Sequence, residues 1–266
     1  MATLNKNMIH RAVLYGWFYA KGLLNRNRVK EQLNEPPILI GGCGRSGTTL
    51  LLSMLSAHPE IYAIPKETGA FCPTAYSEKP DLNAPFNKTT YFYGKYFDEI
   101  PDSCNRWCEK TPKNVQFFGR LLDYFEGNVR LIHLIRDGRD VVTSRHPTLP
   151  NQFWVSPERW VCEVKMGLEV EGTPQLISVK YEELVLDYEK TMGRICKFLD
   201  MEFGHRIRNW HEFTTVRKNR AWSGEVKPAF SKSIGKWKRP EFKERVSEFM
   251  ENPEACNLLK ELGYMG

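Results

Sequence analysis

The chain has 266 residues, of which 41% are hydrophobic. This length and composition suffice for one α/β domain of ordinary size with a substantial core. Lys and Arg number 38 against 32 Asp and Glu, which gives a formal net charge of +6. The excess favours anionic ligands but lacks the concentrated charge of a nucleic-acid-binding protein, so we expect no nucleic-acid partner.

The opening segment is predicted to form a helical arm. Residues 8–21 are apolar and aromatic in places, but His10, Arg11 and Lys21 interrupt the run before the ~20 apolar residues of a membrane span accumulate. We therefore predict no transmembrane segment here. The aromatic face could pack on the rest of the protein, or the arm could associate loosely with a membrane or form an oligomer contact. A homodimer stays open.

Seven cysteines are scattered along the chain, at positions 43, 72, 104, 108, 162, 196 and 256. They form no CxxC pair and no Cys/His group with zinc spacing, so we expect no metal. Their odd number argues against a complete disulfide framework and favours free thiols in a reducing compartment. The expected localisation is cytoplasmic.

The first predicted strand, at residues 37–41, is joined by a glycine-rich turn to a helix that includes residues 50–55. In such a turn, backbone N–H groups and a helix N-terminus converge on one anion site, which suits a nucleotide 5′-phosphate. A loop that binds a triphosphate needs a lysine after its last glycine, but Gly47 is followed by Thr48. We therefore predict a phosphate site that does not hold a triphosphate. The alternative is a strand-to-helix turn without a ligand.

A stretch rich in proline and asparagine, at residues 78–90, predicts an irregular surface loop, and the aromatic residues 91–93 follow it. Substrate sites are commonly built from such loops. The aromatics could therefore border the site of a substrate, or they could anchor a helix on the core, and both interpretations stay open.

Short β-rich runs alternate with helical patterns along the chain. This alternation is typical of a largely parallel sheet with helices on both faces, so we predict an α/β fold of the P-loop type. Residues 129–136 are nearly continuous in apolar side chains, as a central parallel strand would be, and His133 is predicted to be a core residue. Gly263 is predicted to end the last helix. The predicted strands are 37–41, 106–109, 129–136 and 176–181, and the predicted helices are 115–125, 141–145, 157–170, 188–199, 242–250 and 255–262.

No tandem repeat, low-complexity tract or long linker divides the sequence. We therefore predict one compact domain at residues 36–266, preceded by the helical arm at residues 1–35. A single open sheet of this kind offers one cleft, along the carboxyl ends of its strands.

A second anion site is expected where another strand ends at that cleft. Arg136 closes the third predicted strand. Arginine presents a planar, permanently charged fork to phosphate oxygens. Together with the glycine-rich turn, this second anchor would select a nucleotide with two phosphate groups. The alternative is a surface salt-bridge cluster of the charged residues at 136–140.

These motifs resemble those of the sulfotransferases that use 3′-phosphoadenosine 5′-phosphosulfate (PAPS). Residues 45–49 resemble the family's 5′-phosphosulfate loop. Residues 134–145 resemble its 3′-phosphate motif, in which an arginine and a serine eight positions later hold that phosphate, here Arg136 and Ser144. A serine hydroxyl from the following helix can reach the same group as the arginine. Two later segments resemble the tyrosylprotein sulfotransferase branch, namely residues 178–186 and a late cofactor-closing loop at residues 222–237, for which a basic surface loop is the alternative. The resemblance implies that PAPS and its product PAP are bound by Arg45, Ser46, Gly47, Thr48, Thr49, Arg136, Ser144, Tyr181, Ser223, Lys227 and Lys236.

Sulfuryl transfer to an alcohol or phenol needs a base for the acceptor proton and positive charge near the sulfuryl oxygens. Glu67 lies soon after the first helix of the domain, and its segment resembles the catalytic-glutamate segment of the tyrosylprotein enzymes. His58 is the competing base, because other sulfotransferases commonly use a histidine. The resemblance also implies that Lys110 contacts the sulfuryl group. Arg45 and Ser223 would assist an in-line displacement that needs no metal and no covalent intermediate.

One departure from the tyrosylprotein branch concerns cysteine. The secreted enzymes of that branch pair a cysteine just before the glutamate segment with one before the lysine, but here only Cys108 matches, and Ala63 and Pro65 occupy the other neighbourhood. This argues against a lumenal enzyme. The acceptor stays open among a peptide tyrosine or other phenol, a sugar, a lipid and a small-molecule hydroxyl.

The sequence therefore predicts a PAPS-dependent sulfotransferase. One alternative is a P-loop nucleotide kinase or nucleotidase, which Thr48 and the lack of an evident magnesium carboxylate on a second strand disfavour. The other is a catalytically inactive nucleotide-binding module whose N-terminal arm binds a partner.

Overall fold

The computed structural model describes residues 6–72, 86, 89–146, 148–149, 151–217 and 231–265. In these residues five strands form one sheet with the order β2-β3-β1-β4-β5, and every pairing in it is parallel. The α/β fold predicted from the sequence is confirmed. The strands are β1 (Ile38–Gly41), β2 (Ile61–Ala63), β3 (Arg106–Lys110), β4 (Arg130–Ile135) and β5 (Leu176–Lys180).

The sheet carries helices on both faces. The α-helices are α1 (Lys6–Leu24), α2 (Arg26–Gln32), α3 (Thr48–Leu55), α4 (Thr89–Tyr96), α5 (Phe118–Tyr124), α6 (Gly138–Val142), α7 (Pro157–Leu168), α8 (Tyr181–Leu186), α9 (Tyr188–Phe198), α10 (His205–Arg208), α11 (Trp210–Phe213), α12 (Lys243–Met250) and α13 (Pro253–Glu261). Short 3₁₀ helices occur at Phe97–Glu99, Pro112–Phe117, Ser231–Ser233, Lys236–Lys238 and Pro240–Phe242.

Alternate residues of the central strands pack into different clusters. Ile38 and Ile40 of β1 join a core cluster with α3 and α9, whereas Leu39 joins a second cluster with α5 and Trp107. This alternation follows from the strand period of two, and it buries both faces of the strand. The central strands therefore form a rigid floor whose carboxyl ends support the cleft.

Several observed elements differ from the predicted ones or were not predicted. The strand β2 was not predicted, because three residues are too few to show periodicity. The predicted helix 115–125 divides into the 3₁₀ helix Pro112–Phe117 and α5. The predicted helix 141–145 begins earlier, at Gly138, because the Asp137 side chain accepts a hydrogen bond from the Arg139 N–H at 2.9 Å and caps it.

Two single-residue predictions are confirmed. His133 is fully buried, and burial lowers the pKa of its imidazole to about 3, which keeps the side chain neutral in the core. Gly263 follows α13 with a φ of 69°, a conformation that favours glycine and ends the helix.

The helix α1 packs on α4 through glycines. A Cβ atom at Gly22 would collide with the carbonyl oxygen of Thr90, and one at Gly94 would collide with that of Phe18. Tyr91 stacks on Tyr15 with ring centroids 4.8 Å apart. Of the two interpretations of the aromatics at 91–93, the observed contacts match a helix anchored on its neighbours. No helix among the described residues combines the length and the apolar character needed to cross a bilayer.

Candidate active site

The loop after β1 has the backbone of an anion-binding turn. Gly42 approaches the carbonyl oxygen of Leu134 so closely that a Cβ atom would collide with it. Arg45 and Gly47 have φ angles of 73° and 94°, so the chain turns sharply before α3 begins at Thr48. The first-turn N–H groups of a helix lack intrahelical acceptors. The turn therefore aims backbone donors at the space above β1.

Two side chains of this loop have buried polar atoms without a partner. The Ser46 hydroxyl is fully buried, and it finds no hydrogen-bond partner among the described residues. The same holds for the Nε atom of Arg45. Buried polar groups are nearly always hydrogen-bonded, so both groups are donors suited to an anionic ligand. Thr48 and Thr49 are also buried, at the start of α3.

Tyr181 connects the loop to the neighbouring strand ends. Its ring covers Gly47, where a Cβ atom would collide with it, and the Arg136 guanidinium lies 4.3 Å from the ring centroid. The Tyr181 hydroxyl is 2.8 Å from the Ser233 hydroxyl. The sequence predicted Tyr181 as the last residue of a strand, but Tyr181 is the first residue of α8. It therefore lies at the carboxyl ends of the strands, between the two predicted phosphate sites.

Arg136 lies directly after β4 and is 5% exposed, so it does not belong to a surface salt-bridge cluster. Its guanidinium donates to the carbonyl oxygen of Arg45 at 3.1 Å and to that of Ser233 at 2.5 Å. The Asp140 carboxylate lies 3.7 Å away. One side chain thus links the loop after β1 to the chain segment at residue 233.

Asp140 and Ser144 hold the late segment on this site. The fully buried Asp140 carboxylate accepts hydrogen bonds from the Gly235 N–H at 2.8 Å and from the Trp237 N–H at 3.1 Å. The Lys236 ammonium, which lies between these two amides in the chain, donates to the Ser144 hydroxyl at 2.7 Å. The structure therefore brings Ser144 and Lys236 together beside Arg136.

Positive charge predominates in this group. Burial and the positive charge of Arg136 lower the pKa of Lys236 to about 8. Burial and Arg136 also lower the pKa of Arg45. Both shifts have the same causes, because burial and a neighbouring positive charge each disfavour the charged form. Asp140 contacts Arg136, and no other carboxylate among the described residues lies within 4 Å of it.

Glu67 and Lys110 meet at the end of β3. The Lys110 ammonium donates to Glu67 Oε1 at 2.5 Å; the Lys110 side chain is fully buried and that of Glu67 is 40% exposed. The partly exposed carboxylate can be reached by an incoming group, while the ammonium stays fixed beneath it. A carboxylate and an ammonium group therefore lie together, beside the strand β1 that leads into the glycine-rich loop.

The sequence did not point to Glu109, which anchors this end of the cleft. Its fully buried carboxylate accepts from the Thr68 N–H at 3.1 Å, the Thr68 hydroxyl at 2.9 Å and the Thr111 hydroxyl at 2.6 Å, while its other oxygen accepts from Asn114 at 2.7 Å. Thr68 follows Glu67, and Thr111 follows Lys110. The carboxylate therefore holds the chain on either side of the Glu67–Lys110 pair.

His58, the competing base, lies elsewhere. Its carbonyl accepts from the Ile61 N–H at 3.2 Å, and Ile61 pairs with Arg106 at the start of β3, whereas Lys110 closes that strand. Burial lowers the pKa of its imidazole, and its Nδ1 accepts from the Glu60 N–H at 3.2 Å. His58 thus lies near the amino-terminal ends of β2 and β3, away from the carboxyl ends that carry Lys110.

Two of the predicted site residues, Ser223 and Lys227, lie outside the described residues.

None of the seven cysteines, all of which are described, forms a disulfide. Cys108 pairs in register with Ala63 across the β2–β3 ladder, so the position opposite the matching cysteine holds alanine.

The sequence also missed the roles of Asp140 and Ser233 in this site. Asp140 was weighed only as part of a surface salt-bridge cluster, but it lies four positions after Arg136, and α6 brings its carboxylate to 3.7 Å from the Arg136 guanidinium. That spacing is a signal that the sequence carries. Ser233 acts through its carbonyl oxygen as well as its hydroxyl, and a backbone contact of this kind has no sequence signal.

Comparison with known proteins identifies relatives. The model of the sulfotransferase family matches residues 36–88 and 72–205. The chain is similar to a protein-tyrosine sulfotransferase of Drosophila melanogaster, with 28% identity over an alignment of 248 residues that covers 80% of this chain and 49% of that protein. It is also similar to protein-tyrosine sulfotransferase A of Caenorhabditis elegans, with 28% identity over 236 residues, 76% of this chain and 61% of that protein. The chain thus spans less than two thirds of the length of these relatives.

A solved structure shows the same fold. The sulfotransferase domain of the Synechococcus PCC 7002 olefin synthase superposes with a TM-score of 0.55 and 20% identity, over 82% of this chain and 95% of that domain. At this identity the similarity concerns the fold alone. It places the five-stranded sheet and its cleft in the architecture that the sequence predicts.

Proposed function

The chain belongs to the sulfotransferase family, and on that premise we propose that it transfers a sulfuryl group from PAPS to a hydroxyl group of an acceptor. One observation supports a donor nucleotide that is negatively charged at both ends. The cations Arg45, Arg136 and Lys236 converge at the ends of neighbouring strands, and only Asp140 is in ion-pair contact with them in the described part of the chain. A concentration of desolvated positive charge favours a polyanion.

The donor would be held at two places. The turn at Arg45, Ser46 and Gly47 supplies backbone and side-chain donors for the 5′-phosphosulfate. Arg136, which donates to the Arg45 carbonyl of that turn, and the Ser144–Lys236 pair would supply the donors for the 3′-phosphate. Ser223 and Lys227 belong to this proposal through their sequence resemblance alone.

The reaction is proposed to proceed by in-line displacement at the Glu67–Lys110 end of the cleft. Glu67, which is 40% exposed, would accept the proton of the acceptor hydroxyl as that oxygen attacks sulfur. Lys110 and Arg45 would stabilise negative charge on the sulfuryl oxygens and the leaving phosphate. PAPS would supply the sulfuryl group and leave as PAP. A phenol, a sugar or another alcohol satisfies this chemistry.

Binding is tested first, by thermal unfolding with PAP and with AMP, which lacks the 3′-phosphate. We expect PAP to raise the unfolding midpoint well above the effect of AMP, because a ligand that binds the folded state stabilises it by mass action. Lys236→Ala should reduce the PAP shift, and the neighbouring exposed Lys238→Ala is the matched control. Equal shifts with PAP and AMP would contradict the proposed 3′-phosphate site.

Transfer is tested with labelled PAPS and pooled peptides, glycans, lipids and phenols, followed by mass detection of an added sulfate. Sulfate on one acceptor class identifies the substrate. PAP binding without transfer to any acceptor would favour an inactive nucleotide-binding module, and magnesium-dependent ATP turnover would favour a nucleotide kinase.

A further inference from the structure

The net charge of the protein is concentrated at one place. The first thirty residues contain six Lys and Arg and no Asp or Glu, so the remaining residues hold 32 basic and 32 acidic side chains. The formal excess of +6 therefore equals the charge of residues 1–30, which include α1 and most of α2. The rest of the molecule, which includes the proposed active site, is balanced overall.

The same segment presents an apolar face to solvent. Val13, Trp17 and Leu24 of α1 are 64%, 57% and 87% exposed, and they occupy positions i, i+4 and i+11 of the helix. Gly16 and Ala20, which lie between them on this face, are exposed as well. Helical spacing places all five residues on one stripe. We call this stripe the outer face of α1.

The outer face is fixed in place because α1 is docked by its opposite side. Gly22 lies against Thr90 of α4, and Tyr15 stacks on Tyr91. Gly22 is two positions before Leu24, which places the two residues on opposite sides of the helix. The body of the protein therefore holds this apolar stripe towards solvent as a preformed surface. Exposed apolar stripes of this kind mark interaction sites.

We propose that the outer face of α1 docks on an anionic membrane surface. Its apolar side chains would enter the headgroup boundary, with Trp17 as an interfacial anchor, while Arg26, Arg28 and Lys30 of the exposed α2 contact acidic phospholipids. A helix that combines an apolar stripe with basic neighbours suits this occupant. A second copy of the chain suits it less, because it would bring two such positive clusters together.

The test is flotation of the full chain with phosphatidylcholine vesicles, with and without phosphatidylserine. We expect the protein to float with the phosphatidylserine vesicles and to bind phosphatidylcholine alone about tenfold more weakly, because each basic residue near an anionic surface adds to the affinity. The double variant Trp17→Glu/Leu24→Glu should lose flotation by a similar factor or more. Leu186→Glu, which changes another exposed leucine (67%) at the end of α8, should float as the wild type does.

A second measurement keeps the test independent of the folding of the double variant. Brominated phospholipids should quench part of the tryptophan fluorescence of the wild-type protein, and Trp17→Phe should remove that part. Absence of flotation, flotation unchanged in the double variant, or quenching unchanged in Trp17→Phe would each overturn the proposal. So would a dimer in sedimentation equilibrium that Trp17→Glu dissociates, since the outer face would then join two copies.

Discussion

The two ends of the cleft are built in opposite ways. At the end of β3, Glu67 and Lys110 form a pair of opposite charge at 2.5 Å. At the ends of β1 and β4, Arg45, Arg136 and Lys236 gather with an excess of positive charge, and burial with neighbouring cations lowers the pKa of Lys236 to about 8. The charges at the first end cancel without a ligand, whereas those at the second end leave a net positive charge.

This difference separates two tasks. An unbalanced group of cations gains most when an anion binds, so the β1–β4 end should govern nucleotide affinity. A pair of opposite charges attracts an anionic ligand only weakly, so the β3 end should contribute little to nucleotide affinity. Because it holds the proposed base, this end should govern the rate of the chemical step. Variants at the two ends should therefore affect different kinetic constants, which gives the following expectations.

The largest effect is expected from Glu67→Gln. The variant keeps an oxygen that can accept from Lys110 but removes the proposed base, so kcat should fall by about 10²–10⁴-fold while PAP affinity stays near that of the wild type. Steady-state kinetics and calorimetric titration with PAP measure the two quantities. Glu169→Gln, at an exposed position, is the matched control. A full-rate Glu67→Gln enzyme would remove this residue from the mechanism.

The opposite pattern is expected from Arg136→Lys. Lysine keeps the charge but cannot contact the Arg45 and Ser233 carbonyls and a phosphate with one planar group, so PAP should bind about 10–100-fold more weakly. The change in kcat at saturating donor should be smaller. Arg208→Lys on α10, where the arginine pairs with Glu189 at the surface, serves as the control. If Arg136→Lys bound PAP as tightly as the wild type does, the β1–β4 end would not govern nucleotide affinity.

A third expectation concerns the support of the balanced end. Glu109→Gln leaves one acceptor oxygen for four donated hydrogen bonds and should lower the free energy of unfolding by ~1–3 kcal/mol. Because Thr68 would be released, kcat should fall while PAP affinity stays. Urea unfolding and kinetics measure both effects. Glu163→Gln, at a buried glutamate on α7, should lose stability but retain kcat. Equal losses of kcat in both variants would mean that the loss comes from general destabilisation and not from the release of Thr68.

The smallest effect is a pH dependence of affinity at the unbalanced end. The Lys236 ammonium is charged below its pKa of about 8 and neutral above it, and a bound phosphate favours the charged form. PAP affinity should therefore be highest below pH 8 and weaken above it, by at most about tenfold per pH unit. Lys236→Arg should flatten this profile, as should AMP in place of PAP. A flat profile in the wild type would show that Lys236 does not contact the 3′-phosphate.

The sequence predicted what depends on neighbouring residues along the chain. The glycine pattern before Thr48 predicted the phosphate turn, because a strand, a tight turn and a helix start are local features. The apolar run at 129–136 predicted a central strand, and Arg136 was correctly expected at its end. Together these features predicted a parallel sheet with a cleft at the carboxyl ends of its strands.

The tertiary structure decided what depends on residues far apart in the chain. Glu67 meets Lys110 across 43 positions and Lys236 meets Ser144 across 92, and no periodicity or spacing encodes such contacts. The burial of Glu109 and Asp140 was equally out of reach, because a charged residue is usually exposed and becomes a core residue only when the fold supplies its donors. Local patterns specify elements, whereas the pairing of charges depends on which elements the core brings together.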